Sequence, residues 1–167
     1  MKKLFILILF CCTISSWSQH NFSLGIDAAN AFWKGSVNSR AVNFQIKYQY
    51  QFEGDNDYMD SELGLLYERF DKLNFEAFGM TFNKVLFPRI KNTSLAIGVE
   101  NIIIHRWKGY LYKEKDTDKG YWAYGANAEL RYNFAPHWGV GLQANYRRRT
   151  DIGKFVYTTM LNLKYQL

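Results

Sequence analysis

Apolar and polar residues alternate with a period of two through almost the whole chain after residue 19. The clearest stretch is 41–53, in which every second residue is apolar or aromatic: Val42, Phe44, Ile46, Tyr48, Tyr50 and Phe52. Asn, Gln and Lys occupy the positions between them. Successive side chains of a β-strand point to opposite faces, so this pattern predicts a strand with one apolar and one polar face. Because no stretch after residue 19 has a helical period, we expect an all-β fold.

Eight such runs follow one another along the chain. They cover 21–32, 41–53, 61–70, 75–87, 93–107, 121–134, 138–149 and 155–167. The fifth run loses its phase at Asn101, and a β-bulge there would restore it. Short connections alternate with longer ones, the longest being 108–120, as in membrane barrels with short turns on one side and longer loops on the other. The pattern predicts one domain, an eight-stranded antiparallel up-and-down β-barrel.

Residues 1–18 have the three parts of a secretory signal peptide. Two lysines precede an apolar run of nine residues at 4–12, which is too short to span a bilayer as a helix. Small residues in the segment 16–18 then fit a cut before Gln19. We therefore expect a signal peptide at 1–18 and a barrel domain at 19–167. Both cysteines of the chain lie in the predicted signal peptide, at Cys11 and Cys12.

Alternation alone fits two opposite barrels. A soluble lipocalin-like barrel has its apolar face inside, whereas a membrane barrel has it outside, because lipid is the solvent. The interior of an eight-stranded barrel is narrow and could not hold the large aromatic side chains of the apolar face. Aromatic residues make up 18% of the chain although its mean hydropathy is only −0.30, as expected when alternate residues contact lipid. We therefore predict a transmembrane barrel with its apolar face outward and a polar interior.

Aromatic residues also gather near the predicted strand ends. Tyr and Trp rings favour the lipid–water interface, so these residues are expected to form two girdles. One girdle would contain Trp33, Trp107, Trp122 and Tyr146, and the other Phe52, Phe134, Trp138 and Tyr165.

The chain ends on an amphipathic strand whose apolar face contains Leu161, Leu163, Tyr165 and Leu167. This strand resembles the C-terminal signature of outer-membrane barrels, although Leu167 stands where that family usually has Phe. The segment 132–145 resembles the periplasmic turn and following strand of small OmpA-like and OmpW-like barrels. The resemblance to the OmpA/OmpX/OmpW-like barrels implies an integral protein of the cell outer membrane. It also implies contact with outer-membrane lipid, with lipopolysaccharide and, through the C-terminal strand, with the assembly machinery.

Nine charged residues fall on the predicted inner face. They are Asp27, Lys47, Glu62, Glu68, Glu100, Glu129, Arg131, Arg147 and Lys164. An isolated buried charge costs several kcal/mol, so these residues are expected to form a salt-bridge network that plugs the lumen. The alternative is an ion path or gate.

Six basic residues are expected near the outer rim. They are Arg106, Lys108, Arg147, Arg148, Arg149 and Lys154. A basic rim at the level of lipid headgroups suits lipopolysaccharide phosphates. The alternative is ordinary solvated loop charge.

The sequence contains no convincing catalytic or metal-binding pattern. An acyl-transfer enzyme needs a serine activated by a histidine that a carboxylate orients. Of the three histidines only His105 is expected near the outer rim, and Ser36 and Ser39 lie in a different loop. The Asp-Thr-Asp segment at 116–118 lacks the spacing of a calcium loop. We therefore predict no enzyme activity, no metal and no cofactor.

The pattern favours a non-enzymatic barrel with a role in envelope integrity or surface interaction. The alternatives are an enzyme that modifies lipid A in the outer leaflet, and a narrow pore for ions or small apolar solutes. The formal net charge of the chain is +6, with 21 basic and 15 acidic residues, and removal of Lys2 and Lys3 with the predicted signal peptide would lower it to about +4. This charge is mild and no nucleic-acid-binding motif accompanies it, so no nucleic-acid partner is expected.

Overall fold

The computed structural model describes residues 18–28, 43–56, 58–70, 75–88, 92–106 and 120–167. These residues form eight strands: β1 Ser18–Asp27, β2 Asn43–Asn56, β3 Met59–Phe70, β4 Phe75–Leu86, β5 Thr93–Arg106, β6 Gly120–Asn133, β7 Trp138–Arg149 and β8 Lys154–Gln166. Each strand pairs antiparallel with its neighbour in the sequence, and β1 pairs with β8 to close the barrel. None of the described residues forms a helix that could cross a membrane. The predicted eight-stranded antiparallel barrel is confirmed.

The two ends of the barrel differ in their connections. Both chain ends of the described region, Ser18 and Leu167, lie at one end, which we call the terminal end. The strand ends Phe70, Phe75, Arg106 and Gly120 lie at the other end together with the turn 150–153, and we call this the loop end. The predicted signal peptide falls almost wholly outside the described residues, and β1 begins one residue before the predicted cut.

The outer surface of the barrel is apolar and the inner surface is mostly polar. Leu24, Val99 and Leu130 are among the large apolar side chains that are more than half exposed. Gln45 and Glu62, by contrast, are completely buried inside. An apolar surface of this extent around a whole barrel is favourable in lipid and costly in water. The predicted facing, with the apolar side outward, is therefore confirmed.

The predicted bulge at Asn101 is wrong. Asn101 lies opposite Met80 on β4 and Tyr124 on β6, within ladders that continue without a register shift. Its side chain stays on the outer face, and Ile102 and Ile104 point inward, each 1% exposed. The alternation of inward and outward side chains in β5 continues without a bulge, because the interior around Ile102 and Ile104 is apolar. The register shift that does occur lies in β2, after Phe52.

Part of the interior is a small apolar core. Its members are buried side chains that point into the lumen, toward the loop end: Leu66, Phe70, Phe75, Ala77, Ile102, Ile104, Ala123 and Met160. The rings of Phe70 and Phe75 stack, with their centroids 4.9 Å apart. The lumen thus contains an apolar layer toward the loop end and is mostly polar from its middle to the terminal end.

Candidate functional site

The first of two charged clusters in the lumen is built around Arg131 of β6. Its guanidinium donates two hydrogen bonds to Glu62 of β3, at 2.8 and 2.9 Å, in a bidentate arrangement. It also donates to Glu129, at 2.9 and 3.0 Å. The Lys47 ammonium lies 3.3 Å from Glu129 and donates to the Gln143 side chain at 2.6 Å. Charge-assisted hydrogen bonds of this kind are stronger than hydrogen bonds between neutral groups. Those of Arg131 with Glu62 and of Lys47 with Glu129 cross the lumen between strands that are not neighbours in the sheet.

The second cluster is built around Arg147 of β7 and lies closer to the loop end. Its guanidinium contacts both oxygens of Glu68 and both oxygens of Glu100, with bonds that include 2.7 Å to Glu68 and 3.0 Å to Glu100. The amide of Gln45 also donates to Glu68. All three charged side chains are nearly inaccessible to solvent. Two carboxylates therefore share one guanidinium in this cluster.

A third ionic contact lies at the loop end, beyond the apolar core. Arg149 donates to both oxygens of Asp151, at 2.6 and 3.0 Å, and Arg106 lies 3.6 Å from the same carboxylate. The Arg149 guanidinium also sits 4.1 Å from the centre of the Phe75 ring, in cation–π geometry. Arg149, the last residue of β7, therefore contacts both Asp151 in the following turn and Phe75, the first residue of β4.

The nine residues predicted for the lumen network do not all meet. Seven of them form the two clusters just described: Lys47, Glu62, Glu68, Glu100, Glu129, Arg131 and Arg147. Asp27 lies at the loop end, where it accepts a hydrogen bond from Asn43 at 3.1 Å. Lys164 lies at the terminal end, in the wall of a small polar cavity.

The predicted phosphate-binding rim is wrong at three of its positions. Arg106, Arg147 and Arg149 are 3–4% exposed and point into the lumen, where carboxylates bind them. The physical reason is the strand period, because Arg147 and Arg149 share the inner face of β7 and only Arg148 between them points outward. The Arg148 guanidinium lies 5.3 Å from the centre of the Phe155 ring. Of the other two, Lys154 is exposed and Lys108 lies outside the described residues.

Neutral amides complete the network, and the sequence reasoning gave them no role. Gln49 and Asn83 donate to Glu62 at 2.7 and 2.9 Å, and Asn162 donates to Glu129 at 2.6 Å. Their position on the polar face of each run was the available signal. Formal charges alone do not predict these amides, because each buried carboxylate needs several hydrogen-bond donors.

A cluster of polar side chains, His105, Glu76 and Tyr67, lies on the outer face near the loop end. His105 Nδ1 is 3.4 Å from a carboxylate oxygen of Glu76, and the Tyr67 hydroxyl donates to the other oxygen at 3.1 Å. His105 is therefore an outward-facing residue, and its side chain is 42% exposed. Ser36 and Ser39, the serines considered with it, lie outside the described residues.

The predicted aromatic girdles and C-terminal stripe lie on the outer face where the structure describes them. Trp122 and Tyr146 are exposed toward the loop end, and Phe52, Phe134 and Trp138 toward the terminal end. The Trp138 and Tyr165 rings pack with centroids 4.9 Å apart. Trp33 and Trp107 are outside the described residues. The stripe of the last strand lies on the outer side of β8 and beyond it: Leu161, Leu163, Tyr165 and Leu167.

Several solved structures are similar to this chain, and three outer-membrane proteins are among them. The outer membrane protein Ail of Yersinia pestis, solved in a phospholipid bilayer nanodisc, has a TM-score of 0.56 and 18% identity over 90% of this chain and 99% of that one. Neisserial surface protein A has a TM-score of 0.50 and 12% identity, over 90% and 94%. A major outer membrane protein from Thermus thermophilus has a TM-score of 0.50 and 10% identity, over 90% and 99%.

No protein-family model matches this chain, and no curated protein matches it in sequence. Structural similarity at such low sequence identity shows a shared fold and leaves the activity open. The closed barrel, its apolar exterior and these three similarities agree, and the chain has the fold of the small eight-stranded β-barrels of outer membranes.

Proposed function

We propose that this protein is an integral, non-enzymatic outer-membrane barrel with a closed lumen, which acts in envelope integrity or through surface interactions of its loop end. The loop end would face the outside of the cell and the terminal end the periplasm. In this role the exterior contacts lipid and lipopolysaccharide, and the stripe 161–167 is the part that the assembly machinery recognises.

The observation that carries this proposal is the occupation of the bore. The pairs of Arg131 with Glu62 and of Arg147 with Glu68 link β6 to β3 and β7 to β3, across the barrel. The apolar core adds a second, dry obstruction toward the loop end. An eight-stranded barrel is only wide enough for side chains to fill it, so we expect these contacts to close the bore in the part of the chain that the structure describes. The exposed apolar exterior supports the placement in a membrane, as do the outer-membrane neighbours.

Conductance of the purified protein in planar bilayers tests the closed lumen. We expect no single-channel steps from the wild type at moderate voltage. As a positive control, Arg147→Ser combined with Phe75→Ala would remove a charged and an apolar obstruction together, and should raise the conductance if it folds. Reproducible steps from the wild type would favour the narrow pore instead. Membrane fractionation with a gel before and after boiling tests the placement, and recovery as a soluble protein would contradict it.

The Glu76–His105 pair is the observation that favours the rival, an enzyme acting on outer-leaflet lipid. A carboxylate that orients an outward-facing histidine is one half of an acyl-transfer site, and its position near the loop end is the right level for lipid headgroups. Mass spectrometry of lipid A from cells with His105→Ala or Glu76→Gln tests this function, and His20→Ala, on the outer face at the opposite end, is the matched control. A lipid A profile that changes with the first two variants and not with the third would favour the enzyme.

A further inference from the structure

A small polar cavity opens at the terminal end of the lumen. Its volume is about 40 Å³, and the polar groups in its wall include Lys164, Arg131, His137, Gln51, Asn133 and Ser94. One buried water needs roughly 10–15 Å³ of such space, so the cavity has room for a small ion. It lies below the Arg131 cluster, on the side away from the apolar core.

Lys164 is the unusual member of this wall. It is 6% exposed, yet its ammonium forms no hydrogen bond or ion pair with any residue that the structure describes. Lys47, the other buried lysine, has both a carboxylate and an amide oxygen within 3.3 Å. A buried ammonium with unused donors is costly, because its charge is only partly compensated.

The neighbouring charges do not supply the missing partner. Glu62 and Glu129 attract Lys164 from a greater distance, but their oxygens are already bonded to Arg131, while Arg131 and Lys47 repel it. Asp60 lies toward the same end, where it accepts hydrogen bonds from Gln51 at 2.7 Å and from the Gly54 backbone at 2.8 Å.

The cavity wall therefore presents positive charge and hydrogen-bond donors. Among the described residues that line it there is no carboxylate, and the basic groups are Lys164, Arg131 and His137. The His137 ring is fixed at the mouth by a 2.9 Å hydrogen bond between Nδ1 and the carbonyl oxygen of Gln166. We infer that this cavity binds a small oxyanion, a phosphate or a carboxylate group, with Lys164 as the principal ligand and the neighbouring amides as further donors.

The inference is tested by titrating refolded wild-type protein in micelles with sodium phosphate or sodium acetate. Sodium chloride at the same ionic strength is the control. A ligand that binds only the folded state raises the unfolding temperature with its concentration, so we expect a rise that saturates. Lys164→Gln should weaken the apparent affinity tenfold or more, whereas Lys154→Gln, at the exposed loop end, should leave it unchanged. Saturation with both anions would indicate a general oxyanion site, and saturation with phosphate alone a tetrahedral one.

Equal responses of the wild type and Lys164→Gln, or equal responses to phosphate and chloride, would overturn the inference. If Lys164→Gln does not fold, two other measurements decide. Ser94→Asp, which places a carboxylate in the wall without removing Lys164, should weaken the binding. In the wild type, the NMR signal of the Lys164 side-chain Cε should shift as phosphate is added, and an unchanged signal would again overturn the inference.

Discussion

Arg131 of β6 binds Glu62 of β3 through two parallel hydrogen bonds, although the two residues are 69 positions apart in the sequence. Their strands are not neighbours in the sheet, so the pair crosses the inside of the barrel. This contact and the corresponding one of Arg147 join opposite walls that the backbone ladder does not join directly.

Removing one partner of the Arg131–Glu62 pair should destabilise the protein strongly. Glu62→Gln leaves the Arg131 guanidinium with one of its two carboxylate partners, Glu129. Breaking a buried ion pair in this way typically lowers the free energy of unfolding by about 3–5 kcal/mol. Replacing both residues, with Glu62→Leu and Arg131→Met, should cost less than the single change. The free energy of unfolding in urea, followed by the gel shift on boiling, measures the difference. Lys84→Gln, on the exposed outer face, is the control and should have little effect.

Gly141→Ala should weaken the same cluster through sterics. A Cβ at position 141 would lie 2.5 Å from Glu129 Oε1 and 3.2 Å from Glu129 Cγ, so the carboxylate would have to move away from Arg131 and Asn162. Overpacking of this kind usually costs about 1–3 kcal/mol. Gly120→Ala is the matched control, because a Cβ there meets nothing closer than 3.9 Å. Equal stabilities of the two variants would contradict the packing seen around Glu129.

Asn101→Leu should stabilise the barrel in a bilayer. Asn101 presents its amide on the outer face, among apolar neighbours that include Met80 and Tyr124. An amide without a hydrogen-bond partner in an apolar medium costs about 1–3 kcal/mol in protein mutational data, and leucine would remove part of that cost. Asn127→Leu, the same change on the inner face, should be neutral or destabilising. Unfolding in phospholipid vesicles compares the two, and a loss of stability with Asn101→Leu would argue against a lipid-facing amide.

Single cysteines at adjacent positions of β6 should report opposite environments. Ala128 lies on the outer face near the middle of the strand, and Asn127 points into the lumen with 4% exposure. With Cys11 and Cys12 replaced, Ala128→Cys in vesicles should be quenched by lipid probes placed deep in the bilayer, and Asn127→Cys should not. Arginine at 128 should cost about 2–4 kcal/mol, the usual penalty at the bilayer midplane. Quenching at 127 and not at 128 would reverse the facing of the strand.

The architecture could be predicted from the sequence because the period of two acts locally. In β6, the neighbours Leu130 and Arg131 already differ in polarity in the way that lipid outside and a polar lumen require. The run Arg147–Arg149 is the exception. Three adjacent arginines suggest a single basic surface, whereas the strand period directs Arg147 and Arg149 inward and Arg148 outward.

The partners across the lumen could not be predicted in the same way. The contacts of Arg131 with Glu62 and of Arg149 with Phe75 depend on strand order and on the stagger of the closed sheet, neither of which a single strand encodes. Ile102 and Ile104 also point inward against the expected polarity, because Leu66, Phe70 and Met160 provide an apolar environment contributed by distant strands.

The apolar core toward the loop end has a consequence for how the interior exchanges with its surroundings. The apolar core obstructs the lumen on the loop side, and the polar cavity opens at the terminal end. The polar part of the lumen is therefore accessible from the terminal end. In the proposed outer-membrane placement, water, protons and small solutes would reach the Arg131 cluster from the terminal end, so the ionisation of its side chains would follow the composition of the compartment on that side. A molecule added on the loop side would reach Lys164 only by passing around the protein, through a different membrane component.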